Sequence, residues 1–373
     1  FPKALENLNY RWLRPSHLEQ FWPQWSASFQ VEQIGESYEG RPLRVIKIGQ
    51  GKTRVLIWSQ MHGNEPTATL SLCDLLDFLI QDEQKEFLRS IEENLSLAII
   101  PMLNPDGSER FTRRNAQGID LNRDCIDQAS PEMQAYFKFL KEFDPHWGLN
   151  LHDQRSIFSA GKSGHTATLS FLAPSGNVER SITNERKQSM DMIGRVFSNL
   201  KNDLEGHFGR YTDEFYPLAL GDNLMQMKVP NILLEAGAYR QDPNRSMART
   251  LISKFFVVFF LGLMEKGSDK HDYSDRYWDI PENRQLLRDI IIRRADLGGV
   301  KVDISLQLKE EVREGVFFQY YIVDDLGDLS GLKGIEEWQG GLVETDEAIN
   351  PGEKAHFRYQ KKSKFYNIIC VNQ

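Results

Sequence analysis

An imidazole and a carboxylate stand three residues apart in Met61-His62-Gly63-Asn64-Glu65, a spacing that a tight turn entering a helix can aim at one point. Donors of this kind suit zinc, which accepts nitrogen and oxygen at ~2.0–2.2 Å. An HxxE pair on its own is more often a surface turn carrying an incidental histidine. A third donor is offered by His152 in Leu149-Asn150-Leu151-His152-Asp153, and two histidines, one glutamate and a water make an open catalytic zinc site. The other histidines, His17, His146, His165, His207, His271 and His356, lack such a setting and read as structural or surface residues. Two further stretches carry functional groups. Asn104-Pro105-Asp106-Gly107 precedes a Gly-punctuated loop from Arg113 to Arg123, where arginines are ordinarily just solvated. Glu235 ends the apolar run Asn231-Ile232-Leu233-Leu234, where a carboxylate often only caps the following turn.

The supports for these residues follow from apolar periodicity. Residues 30–37 and 41–48 alternate apolar with polar around a Gly-containing turn and predict a hairpin. Residues 54–60 form a short apolar strand, and 66–79 follow with helical spacing and a proline in the first turn. His62 and Glu65 lie in the turn between them. The alternation continues with a strand at 95–102, a helix at 131–143 and a strand at 147–151 that ends at His152. Then come a strand at 166–172, a helix at 185–200, a strand at 232–234 ending at Glu235, and a long helix at 246–264. Strands alternating with helices predict an α/β/α sandwich around a mixed, largely parallel sheet. Reactive residues in such sheets gather at the carboxyl ends of strands, and His62, His152 and Glu235 each sit at or just beyond one. Past residue 265 the pattern changes to a polar linker, a helix-like stretch at 282–294, and short alternating runs at 300–308, 316–323 and 365–371. The expected organisation is a large unit at 1–265, a linker and helix at 266–296, and a small β-rich domain at 297–373.

Taken in order, the motifs resemble the zinc carboxypeptidases of the M14 family. HxxE, NPDG, RxNxxGxDLNR, a strand-end histidine and a strand-end glutamate follow one another across roughly residues 25–265. The resemblance implies one zinc per chain, held by His62, Glu65 and His152. It implies that Arg113 stabilises an oxyanion, that Asn122 and Arg123 hold the terminal carboxylate of a peptide, and that Glu235 is the general base. The family's substrate-facing tyrosine matches Tyr216, with Tyr211 as its rival. Asn64 departs from the arginine of digestive members, and this HGNE form also occurs in relatives that cleave amides of small acylated amino acids or cell-wall peptides. Asp222, in Gly221-Asp222-Asn223, either favours a basic substrate side chain or holds its loop, and the turn chemistry favours the loop.

Composition narrows the remaining classes. A chain of 373 residues can hold one domain of ~250–300 residues and a smaller one. With 40% hydrophobic and 26% charged residues and no low-complexity tract, the profile is globular. Against 45 basic residues stand 53 acidic ones, a net charge of -8 with no basic stripe, which argues against nucleic acid. The apolar run at 255–264 is about half of the ~20 residues of a membrane span and reads as a buried core helix. Cys73, Cys125 and Cys370 are far apart, which excludes a Cys-based zinc site and points to a reducing compartment, with a cytoplasmic location expected. The chain begins at Phe1 without a leader pattern, and a periplasmic or secreted location follows instead if a leader has been removed. The leading expectation is a metallocarboxypeptidase acting on peptides with a free C-terminal carboxylate. The alternatives are a deacylase of the aspartoacylase or succinylglutamate desuccinylase type, acting on N-acyl amino acids, and a non-catalytic binding protein on the same fold.

Overall fold

A computed structural model describes residues 1–265, 271–346, 348–361, 364–368 and 371–372. Its first sheet contains β1 (Gln30–Glu36), β2 (Pro42–Ile48), β3 (Thr53–Ser59), β4 (Leu95–Ile100) and β5 (Trp147–Asp153). The short β6 (Ser159–Ala160) lies outside it, and β7 (Leu169–Leu172), β8 (Phe208–Arg210) and β9 (Asn231–Ala236) complete it, in the order β1-β2-β4-β3-β5-β9-β7-β8. β1 and β2 form the predicted antiparallel hairpin, while β4, β3, β5 and β9 run parallel in the centre. β7 lies antiparallel to β9, so the sheet is mixed.

Both faces of the central strands are covered, and the two-residue period of a strand divides them. Val55 and Ile57 of β3 join a core with the helices Thr67–Leu79, Asn184–Leu200 and Ser246–Met264. Leu56 and Trp58 point the other way, into a core with Pro131–Phe143 and Leu220–Gln226. Helix Ser246–Met264 is long and apolar enough to cross a membrane by length and composition. Here Phe255, Phe256, Phe259 and Phe260 are fully buried in the first core, as the sequence reading expects. Cys73 and Cys125 are free and buried, whereas Cys370 lies outside the described residues.

The stretch 282–294 departs from expectation. It contains β10 (Asn283–Arg284), paired with β6, and the first part of β11 (Leu287–Leu297), rather than a helix. A bulge between Ile292 and Ala295, with Arg294 at φ 52, displaces the apolar phase of β11. Ala295 thereby rejoins Ile290 and Ile292 in one core, while Leu287 and Ile291 are also buried, so the apolar positions 287, 290, 291 and 295 imitate helical spacing although the β-branched isoleucine run favours the extended form. The second sheet thus begins at residue 287, ahead of the expected 297. It continues through β12 (Val300–Arg313), β13 (Val316–Gly327), β14 (Lys333–Gln339), β15 (Leu342–Glu344), β16 (Phe357–Lys361), β17 (Lys364–Ile368) and β18 (Val371–Asn372).

The two sheets meet beside the carboxyl ends of β5 and β9. Gln307 donates to Ser156 Oγ at 2.6 Å, the Leu287 N–H to Ile157 O at 3.0 Å, and Asn283 Nδ2 to Gln154 Oε1 at 3.0 Å.

Candidate metal centre and substrate cleft

His152 and Glu235 are Cα partners on the adjacent parallel strands β5 and β9, so both side chains leave the same face of the sheet at the same level. His62 and Glu65 reach that level from the turn after β3. This turn is shaped by close packing. A Cβ on Gly63 would fall 1.9 Å from the backbone of Gly107, so the turn can lie against the start of the Pro105–Arg110 helix only with glycine at 63. Asn104 caps that helix by accepting from the Gly107 N–H at 2.8 Å, and its Nδ2 donates to Met61 O at 3.2 Å. The Asn-Pro-Asp-Gly segment is thus the buttress of the His62 turn.

The predicted ligands converge. His62 Nδ1 lies 2.9 Å from Glu65 Oε1, and His152 Nδ1 lies 2.8 Å from Glu65 Oε2 and 3.1 Å from His62 Nδ1. One donor atom from each of the three residues lies within 4.8 Å of the others, and all three residues are buried. Two imidazoles and a carboxylate turned inward on one point, with no Cys nearby, match the donor set that zinc prefers. Burial opposes a charged Glu65, yet His62 and His152 hold its pKa well below the usual carboxylate range. Burial lowers the His152 pKa, with Glu65 offsetting it only in part, so this imidazole favours the neutral, ligand-competent form. For His62, Glu65 and Asp120 outweigh burial and raise the pKa.

Asp120 belongs to the motif string but had no assigned task, and the structure gives it three contacts. Its Oδ1 lies 3.1 Å from His62 Nε2, its Oδ2 accepts from Arg113 Nε at 2.9 Å, and it caps Leu121–Arg123 by accepting from the Asn122 N–H at 3.0 Å. A carboxylate on the far nitrogen of a ligand histidine fixes the ring and its tautomer. Arg113, held by Asp120, extends Nη1 to 3.2 Å from His62 Nδ1 and 3.4 Å from Glu65 Oε1, which places its guanidinium at the ligand cluster.

Glu235 faces this cluster with Oε2 buried and without a hydrogen-bond partner. Burial, followed by the charges of Glu65 and Asp153, raises its pKa well above the usual range. Asn122, Arg123 and Tyr216 line the same cleft, whose volume is about 1350 Å³. Asn122 Oδ1 holds the Leu220 N–H at 2.9 Å, and Arg123 is exposed over the Tyr216 ring at 5.7 Å. No carboxylate pairs with Arg123 among the described residues. Both candidate tyrosines line the cleft. Tyr216 is 44% exposed and donates to Glu214 at 2.9 Å. Tyr211 is partly buried, and burial, with Glu235 adding, pushes its pKa up to about 12. Asp222 accepts the Tyr216 N–H at 3.2 Å, in keeping with a loop-holding role, and burial pushes its carboxyl up to about 7. The second sheet also walls the cleft, through Asp289, Gln307, Lys309, Glu310 and Tyr321 among others, a contribution with no local sequence signal.

Residues 16–194 match the family model described as zinc carboxypeptidase. Carboxypeptidase SOL1 of Arabidopsis thaliana is 34% identical over 121 residues, covering 31% of this chain and 25% of the relative. A probable carboxypeptidase 2 of Trichophyton verrucosum is 30% identical over 219 residues, covering 58% of this chain and 34% of the relative. The chain thus spans only a quarter to a third of these curated relatives. Among solved structures, carboxypeptidase A from Helicoverpa armigera superposes with a TM-score of 0.52 at 17% identity, covering 68% of this chain and 73% of that one. A likeness at that identity speaks for the fold, an α/β sandwich of the carboxypeptidase type. Residues 16–194, which carry His62, Glu65, the Arg113–Arg123 string and His152, thus form a region of the zinc carboxypeptidase family.

Proposed function

We propose that this chain is a zinc-dependent metallocarboxypeptidase that hydrolyses the C-terminal peptide bond of peptides. The observation that carries the reading is one cleft holding the convergent His62, Glu65 and His152, the register-matched Glu235, and the exposed, unpaired Arg123. His62, Glu65 and His152 would hold zinc, which when bound acts as a Lewis acid and lowers the pKa of water toward ~7. Glu235 takes the proton of the attacking water and returns it to the leaving amine, a task suited to a carboxylate whose proton affinity is raised. Arg113, braced by Asp120, stabilises the negative charge that develops on the carbonyl oxygen. Arg123 pairs with the terminal carboxylate, and Asn122 offers its amide nitrogen to the same group.

Cleft size favours peptides over single N-acyl amino acids, since about 1350 Å³ exceeds the ~300–1,000 Å³ usual for small-ligand pockets. A purely binding role leaves the buried, unpartnered Glu235 carboxyl oxygen without a use, at a cost to stability. Incubating the zinc-loaded protein with a mixed peptide library and reading the products by mass spectrometry tests the proposal. Loss of single C-terminal residues supports it, whereas internal cleavage, or turnover of N-acyl amino acids alone, replaces it with another hydrolase.

A further inference from the structure

The β-rich domain reaches the metal end of the cleft through a largely buried chain of charges. Arg11, only 7% exposed, gives its Nε to both carboxylate oxygens of Glu310 at 3.0 and 3.1 Å, and its Nη1 to Asp153 Oδ2 at 2.9 Å. Glu310 belongs to β12, and Gln319, its partner across the ladder on β13, donates to Glu310 Oε1 at 3.0 Å. Asp153 directly follows His152. Its Oδ2 also accepts the Thr67 hydroxyl at 2.7 Å, and its backbone N–H donates to Glu65 Oε2 at 3.2 Å. Thr67 begins the helix that follows Glu65. Asp153 therefore ties the end of β5, which carries His152, to the turn and helix start that carry Glu65. Arg245 approaches the same Asp153 oxygen at 3.6 Å, so two guanidiniums face two carboxylates in one set.

Resting on the reading that His62, Glu65 and His152 hold zinc, we infer that Glu310 is a positioning residue for the metal centre, acting from the second domain through Arg11 and Asp153. An unpaired charge in a low-dielectric interior is costly, so Arg11 deprived of Glu310 must move or draw harder on Asp153. A redirected Asp153 carboxylate loosens its bond to Thr67, at the start of the helix behind Glu65, and strain passed to its backbone moves the N–H that orients Glu65 Oε2, the atom 2.8 Å from His152 Nδ1. Groups that orient metal ligands typically change metal affinity 10–100-fold when removed. On this account the β-rich domain is part of the catalytic centre, and no truncation at its border leaves the site intact.

The test uses the full chain with Glu310→Ala and Glu310→Gln, and Glu337→Gln as the control. Glu337 pairs with Arg293 in the same domain and lies outside the cleft. Zinc release to a competing chelator is followed, circular dichroism confirms folding, and kcat and KM are measured on one peptide. Glu310→Ala should release zinc about 10–100-fold more readily and lower kcat with KM held within about twofold. Glu310→Gln, which keeps a polar partner for Arg11 but removes the charge, should fall between it and the parent, and Glu337→Gln should match the parent. If Glu310→Ala does not fold, Glu310→Gln alone decides by the same measures. Parent-like zinc release in the Glu310 variants, or equal weakening by Glu337→Gln, overturns the inference. Zinc release is read without substrate, so a protein that binds zinc and cleaves no peptide refutes the carboxypeptidase reading while leaving this test in force.

Discussion

The two ends of the cleft are built on opposite principles. At the metal end His62, Glu65 and His152 are buried, bonded to one another and backed by Asp120 and Asp153. At the other end the side chains of Arg123 and Tyr216 are exposed, and their only mutual contact is a cation over a ring. Chemistry needs atoms held to within a fraction of an ångström and so sits on strand ends and the tight turn beside them, whereas recognition must admit and release a ligand. Substitutions at the buried end should therefore cost more and act on metal or turnover. Those at the exposed end should cost less and act on selectivity.

The largest effect is expected for His152→Ala, which removes one of the three proposed ligands and should abolish zinc retention and activity together, as elemental analysis and a peptide assay would show. His146→Ala, one residue before β5, should leave zinc in place, because its exposed ring only accepts the Arg54 N–H. Glu235→Gln should keep zinc and fold yet lose ~10²–10⁴-fold in kcat, the usual contribution of a general base. Arg123→Ala should be milder. Its exposure reduces the loss to that of a solvent-accessible charged hydrogen bond, about 1.5–3 kcal/mol or roughly 10–100-fold in kcat/KM. Phenylalanine at 211 and at 216, measured separately, identifies the substrate-facing tyrosine as the one whose change lowers kcat/KM.

The smallest expected effect is on stability. Burial pushes Asp289 up to about 6 from its ordinary 3.8, so the folded state binds this proton more tightly than the unfolded chain does. Its contribution is fully present below about 3.8 and is lost as pH rises through about 6. Asp289→Asn should flatten the fall of Tm across that window, and an unchanged slope would assign the pH dependence to other groups.

Much of the buried end could be read from the chain. β5 and β9 are apolar runs that each carry a functional residue at their carboxyl end, and helix Pro131–Phe143 is announced by the Ser130 cap and the proline after it. Asp120 had its signal in the DLNR string, but its bond to His62 spans 58 positions and depends on how the loop folds back. Arg11, Asp153 and Glu310 left no local trace, because the partners are 142 and 299 positions apart. β11 imitates a helix because apolar residues of both its phases are buried and a bulge shifts the last of them, which gives a strand the apolar spacing of a helix.

The central claim, that the exposed end of this cleft reads a free C-terminal carboxylate, is tested most directly with one peptide as its free acid and as its C-terminal amide. Turnover of both by the zinc-loaded parent and by Arg123→Ala gives the answer. The account predicts that the parent cleaves the acid about 10–100-fold better than the amide, and that Arg123→Ala loses most of this preference by slowing on the acid alone. Equal cleavage of acid and amide by the parent contradicts it.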